Sequence, residues 1–102
     1  MARNAPDPKT QAAWLIAIGE PTRLALIRAL VAGEKTVTNL ARELGVEIVN
    51  ISHHLSVMKD AGLVTVERDG RFMIYALVGA AVATGRLELT HPSGLQLRVP
   101  LE

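Results

Sequence analysis

Apolar and polar positions from Thr36 to Leu77 recur first with a helical period and then with a strand period. Leu40, Ala41 and Leu44 share one helical face, predicting a helix over about Val37 to Leu44. Thr36 is placed to cap its first turn through a hydroxyl acceptor, and Gly45 to end it in a left-handed conformation. A second helix is predicted from near Ile48 to about Ala61, with Ile48, Ile51, Leu55 and Met58 as its inward stripe. The opposite face then carries Asn50, His53, Val57 and Asp60, with Ser52, His54 and Ser56 on the flanks. After Gly62, Leu63 to Arg68 and Arg71 to Leu77 are rich in β-branched and aromatic residues and bracket Asp69-Gly70, which predicts a hairpin. Both Asp69 and Gly70 are expected to take positive φ, which puts Arg68 and Arg71 at the exposed tip.

Two further helical patterns precede this stretch. Pro21 suits a first turn, and Leu24, Ile27, Leu30 and Val31 form an inward stripe ending at Gly33. The earlier helix, about Pro8 to Ile18, is apolar on every side, which a single surface cannot cover. It reads as half of a dimer interface through Trp14, Leu15 and Ile18, spanning residues 8–19; full enclosure within one chain is the alternative. Beyond Leu77, Val78 to Thr84 is too short and glycine-flanked for a long helix. Leu87 and Leu89 then alternate with polar residues, His91-Pro92-Ser93-Gly94 reads as a turn, and Leu95, Leu97 and Val99 alternate again. A second hairpin over 86–102 follows, whose leucine face (Leu87, Leu89, Leu97) must pack on the first helix or on a partner subunit.

Two helices joined by a two-residue link and followed by a hairpin make a winged helix-turn-helix. The expected fold is mainly α with small β-hairpins, an α+β domain spanning residues 1–102 with an extra C-terminal hairpin. In such a unit the second helix enters the major groove of DNA. Asn50, Ser52 and His53 would face base edges, while His54, Ser56 and Lys59 assist or touch phosphate. Thr36 and Thr38 could contact the backbone at the start of the preceding helix, and Arg68 and Arg71 could straddle it at the wing. The bland alternative for each is an ordinary solvated surface residue.

Charge qualifies this picture. The net charge is +1, and residues 34–75 carry five basic and six acidic groups, so the reading head is not basic overall. Phosphate binding must come from arrangement, with Lys59, Arg68 and Arg71 toward DNA and Glu43 and Glu67 turned away. Neutralising four or five phosphates per dimer would give a log K against log salt slope of roughly −4. With 102 residues, 49% of them apolar and only 3% aromatic, one largely aliphatic core is expected. No run approaches the roughly 18 apolar residues of a membrane span, and Met1 to Thr10 lacks an apolar signal core. A soluble, cytoplasmic protein is the expectation, in keeping with the absence of cysteine.

The chain resembles the ArsR-type family of small winged-helix transcriptional repressors over roughly Gly19 to Leu77. The resemblance rests on Glu20-Pro21-Thr22-Arg23-Leu24, Leu40-Ala41, Ser52-His53-His54-Leu55, Ala61-Gly62-Leu63-Val64, and Gly70 with Tyr75-Ala76-Leu77. It implies a homodimer that binds an inverted-repeat operator in double-stranded DNA and blocks transcription until a signal releases it. Ser52 and His53 fall where the family's base- and phosphate-contacting residues lie. The chain also departs from the family. Asn39-Leu40-Ala41-Arg42 stands where metal-sensing members carry cysteines, so thiolate coordination of soft metals is excluded. Nothing after Leu77 matches the family's second, His-carboxylate site. Glu47 replaces the usual capping serine, and Ile48 and Val49 replace polar residues, leaving room for contact with thymine methyls.

His53, His54 and His91 are the candidate nitrogen ligands. Adjacent helix positions diverge by about 100°, so His53 and His54 cannot easily share an ion, and no metal or cofactor is expected. Protonation of the imidazoles would instead add positive charge toward DNA. No cysteine nucleophile, glycine-rich phosphate loop or activated Ser/His/Asp set argues for an enzyme. The rival from another class is a winged helix serving as a protein-interaction module, for which the near-neutral reading head is the best argument.

Overall fold

The computed structural model describes residues 7–101; the expectation about a leader at residues 1–6 and the last residue of the 86–102 hairpin lie outside it. Four helices come first in chain order: α1 Pro8–Ile18, α2 Pro21–Leu30, α3 Val37–Leu44 and α4 Ile48–Asp60, with a two-residue strand, β1 Lys35–Thr36, before α3. Each of the first two starts at a proline whose missing N–H costs nothing there. Asp7 caps α1 by accepting from the Lys9 amide, and Glu20 caps α2 by accepting from that of Arg23, both at 2.9 Å. The Thr36 hydroxyl accepts from the Asn39 amide at 3.1 Å, and Gly45 closes α3 at φ 65°. Both ends of α3 are thus as expected from local chemistry.

The wing is a three-stranded antiparallel sheet in the order β1-β3-β2, with β2 Val64–Asp69 and β3 Phe72–Leu77. Its hairpin differs from expectation by one residue. Asp69 pairs with Phe72, so the turn is Gly70-Arg71, and no non-glycine residue described has positive φ. With Gly70 at φ 63° in the first central position, the turn fits the II′ type rather than I′.

The C-terminal segment is a second three-stranded antiparallel sheet, β4 Ala80–Ala83, β5 Arg86–Thr90 and β6 Gln96–Pro100, rather than a hairpin. Its inner residues Leu87, Leu89 and Val99 join the helices' residues Trp14, Ile18, Leu26, Ile27, Leu30, Leu40, Ile51, Leu55 and Met58 in one apolar cluster. His91 is buried with its ring edge-on to Trp14, centroids 5.5 Å apart, and its Nδ1 accepts from the Ser93 amide at 3.1 Å. Gln11 of α1 donates to the Ser93 hydroxyl at 3.0 Å. These contacts fasten the sheet to α1.

That packing corrects the expected dimer surface. Trp14, Ile18, Leu87 and Leu89 are 0–4% exposed within the chain itself and leave no surface for a second copy. Leu97 is half-buried against the same cluster. Of the residues named for α1, only Leu15 is open, together with its neighbour Ile16 at 67% exposure. The all-round apolar helix is covered on one side by α2 and α4 and on another by the C-terminal sheet. No helix among the described residues is long and apolar enough to cross a membrane.

Candidate nucleic-acid interface

Helix α4 is held by Ile51, Leu55 and Met58, each completely buried. Truncating any one of them to alanine would cost about 2–5 kcal/mol, because the core could not close over the void. At roughly 100° per residue their direction leaves the opposite face centred on Val49, His53, Ser56 and Asp60. Ser52 and Lys59 flank it on one side and Asn50 on the other; all seven are exposed. Two positions differ from the periodic reading. Ile48, assigned to the inward stripe, is 50% exposed because the core ends one turn further along the helix. Val57, assigned outward, is half-buried and lines an apolar groove with Ala13, Ile16 and Ala17 of α1.

His54 is the main correction among the expected contact residues. Its side chain is 18% exposed, and Nδ1 takes a hydrogen bond from Arg23 Nη1 at 3.1 Å, with Glu20 Oε1 3.9 Å away. It faces the start of α2, so a proton on this ring would not add charge toward DNA. The Arg23 amide bonded to Glu20 holds that carboxyl below the usual carboxylate range; nearby His54 and Arg23 act in the same direction. Arg23 and Glu20 were visible in the sequence only as members of the Glu20-to-Leu24 motif. Their role depends on a contact 31 residues away.

The start of α4 lacks a side-chain cap. Glu47 makes no capping bond, and the next two residues, Ile48 and Val49, are apolar and open to solvent. Thr38 on α3 is exposed, whereas the Thr36 hydroxyl is already engaged as a cap. At the wing, Arg68 Nε donates to the Gly70 carbonyl at 3.0 Å, which stiffens the turn. The Arg71 guanidinium lies 5.7 Å from the Phe72 ring centroid, within cation–π range. Lys59, Arg68 and Arg71 form no ion pair among the described residues, while Lys35 is bound to Glu43 at 2.7 Å. No group of three metal-ligating side chains is found among the described residues.

This arrangement has counterparts among known proteins. Residues 18–67 match a helix-turn-helix domain family. A crystallised "possible transcriptional regulator for arsenical resistance" is 45% identical, superposes with a TM-score of 0.63, and the match covers 65% of this chain and 69% of that one. The transcriptional repressor SdpR of Bacillus subtilis is 34% identical over 61 residues, covering 60% of this chain and 68% of its own length. The chain belongs to the ArsR family of helix-turn-helix transcriptional regulators. NolR from Sinorhizobium fredii, 30% identical with a TM-score of 0.64, is matched over 76% of this chain and 81% of its own. The regulator NmtR of Mycobacterium tuberculosis is 39% identical over 72 residues, covering 71% of this chain and 60% of NmtR. The chain therefore spans about three fifths of the length of curated relatives such as NmtR. Membership places it in a family of transcriptional regulators.

Proposed function

We propose that this ArsR-family chain is a homodimeric DNA-binding repressor that recognises an inverted-repeat operator. The observation that carries the reading is the outward row of Asn50, Ser52, His53, Ser56 and Lys59 on a helix pinned from beneath by three buried side chains. Asn50, Ser52 and His53 read base edges in the major groove, and Ile48 and Val49 offer apolar contact to thymine methyls. Ser56, Lys59 and Thr38 touch the backbone, with Arg68 and Arg71 reaching it from the wing. The Thr36 hydroxyl serves α3, and His54 sets the seat of the recognition helix rather than touching DNA. With no cysteine in the chain, release follows a signal other than thiolate capture of a soft metal. Such a regulator acts in the cytoplasm, where its operator is.

Selection of bound fragments from random duplex DNA by the purified chain tests this reading. Enrichment of a palindrome supports it and gives the half-site spacing. Failure to enrich any sequence at low salt overturns it in favour of a protein-interaction module. That second reading draws on the exposed Ile48, Val49, Phe72 and Met73 around a reading head of nearly neutral charge.

A further inference from the structure

The two sheets present four outer edges, and three are guarded against further pairing. Strand β1 is two residues long, β2 carries Glu67, Arg68 and Asp69, and β6 carries Arg98 and ends at Pro100. The fourth edge, β4, reads Ala80-Ala81-Val82-Ala83, with no charge, no proline and its first three residues exposed. The Thr90 amide donates to the Gly79 carbonyl at 2.8 Å, and the register continues with Ala81 opposite Glu88 and Ala83 opposite Arg86. Because hydrogen-bonded and non-hydrogen-bonded pairs alternate in an antiparallel ladder, the N–H and C=O of Ala80 and Val82 point away from β5.

The side chains lead to the same place. Val82 stands opposite Leu87 and Ala80 opposite Leu89, so these residues share the sheet face that joins the core. Leu87 and Leu89 are fully buried, yet Val82 is 60% exposed and Val78, just before the strand, 38%. The apolar face therefore runs past the end of the core onto an open backbone edge.

We infer that β4 pairs antiparallel with β4 of a second copy, fusing the two C-terminal sheets into one continuous sheet across a two-fold axis. The inference rests on the homodimer reading above and names its seam. The strand suits itself as a partner because it is small and uncharged, and its two outward-bonding residues, Ala80 and Val82, lie one on each side of Ala81. With the axis at Ala81, Ala80 faces the partner's Val82 and Val82 the partner's Ala80, so large meets small on the apolar face. The outward amides and carbonyls then form about four hydrogen bonds, the number this short ladder allows. So small a seam gives a modest dimer, with dissociation in about the micromolar range, that DNA carrying two half-sites tightens.

Sedimentation of the full chain tests it, with two variants at one position. Val82→Pro removes only an outward N–H and suits an edge strand, while Val82→Lys charges the edge. The expected result is a dimeric parent and variants whose dimer dissociation constants are at least about tenfold weaker, with Trp14 emission unchanged in Val82→Lys as evidence of intact folding. Amide exchange at Ala80 and Val82 is expected to be slow in the parent and fast in Val82→Lys. A dimeric parent with equally dimeric variants, or fast exchange at both amides in the dimer, overturns the seam alone. A parent that is monomeric both free and on DNA overturns the homodimer reading and the seam with it. Leu15→Ser is the control on the other open apolar surface; dissociation by it but not by Val82→Lys also rejects β4.

Discussion

Arg23 of α2 donates to Nδ1 of His54 on α4 at 3.1 Å while also holding the carbonyl of Ala17 at 2.6 Å. A third hydrogen bond, Nη2 to the Ile16 carbonyl at 3.3 Å, completes the closure of the α1 C-terminus. One guanidinium thus ties the end of the first helix to the middle of the recognition helix. Its planar fork reaches acceptors in several directions, which a lysine ammonium on a flexible stem cannot reproduce. Arg23→Ala should cost about 1–3 kcal/mol, since it leaves half-buried acceptors unpaired. In a domain of this size that lowers Tm by about 5–20 °C. His54→Ala should cost less, because the two bonds to carbonyls survive. Thermal denaturation checks both, and an unchanged Tm in Arg23→Ala would contradict the role assigned to it.

Glu20 sets a second expectation. Its carboxyl is held below the ordinary value of 4.5, first by the Arg23 amide that donates to it. A depressed folded-state value means the ionised form is favoured by folding, so the contribution is complete above the unfolded value. It is lost as pH falls through the folded one. Glu20→Gln should therefore be less stable than the parent at neutral pH, with the gap closing on acidification below 4.5. Parallel urea titrations across that range provide the check.

On DNA, groups that meet phosphate and groups that read bases should separate cleanly. Lys59→Ala and Arg71→Ala should weaken binding evenly across operator sequences and lower the magnitude of the salt slope by about one for each phosphate left without its cation. Asn50→Ala and Ser52→Ala should instead relax preference at particular base pairs, by about 1–3 kcal/mol where a bidentate pair is removed and less for a single bond. Fluorescence anisotropy against matched and mismatched operators, over a range of salt, distinguishes the two classes. Equal weakening on all sequences for Asn50→Ala would remove it from base reading.

Glu47→Ser should improve the protein. A serine supplies the capping bond that α4 lacks, worth about 0.5–2 kcal/mol by the cost of its removal elsewhere. The gain is offset in part by losing a carboxylate that favours a helix N-terminus. Near phosphate the same carboxylate is repulsive, so operator affinity should rise by more than stability does. Chemical denaturation and anisotropy on the one variant measure both.

What could be read from the chain was local chemistry, and what could not was set by distant partners. Thr36 and Gly45 bound α3 as expected because a hydroxyl cap and a left-handed glycine act within a few residues. The wing hairpin was legible as a hairpin, but the ladder pairing Asp69 with Phe72 moved its turn by one residue. Helical period indicated which side of α4 is apolar, though not where the core beneath it stops, which left Ile48 outside. Ala80–Ala83 has weak strand preference and became a strand by pairing with β5. His54 looked like its neighbour His53 until α2 supplied Arg23. Trp14 looked like an interface residue because the sheet that covers it lies some 70 residues later in the chain.

Trp14 is the sole tryptophan, and the ring against it belongs to His91 at the hinge of β5 and β6. The protein consequently carries its own optical gauge. Indole emission senses whether the terminal sheet is seated on α1, without dye or tag, and can follow that seating while an operator or a candidate inducer is added.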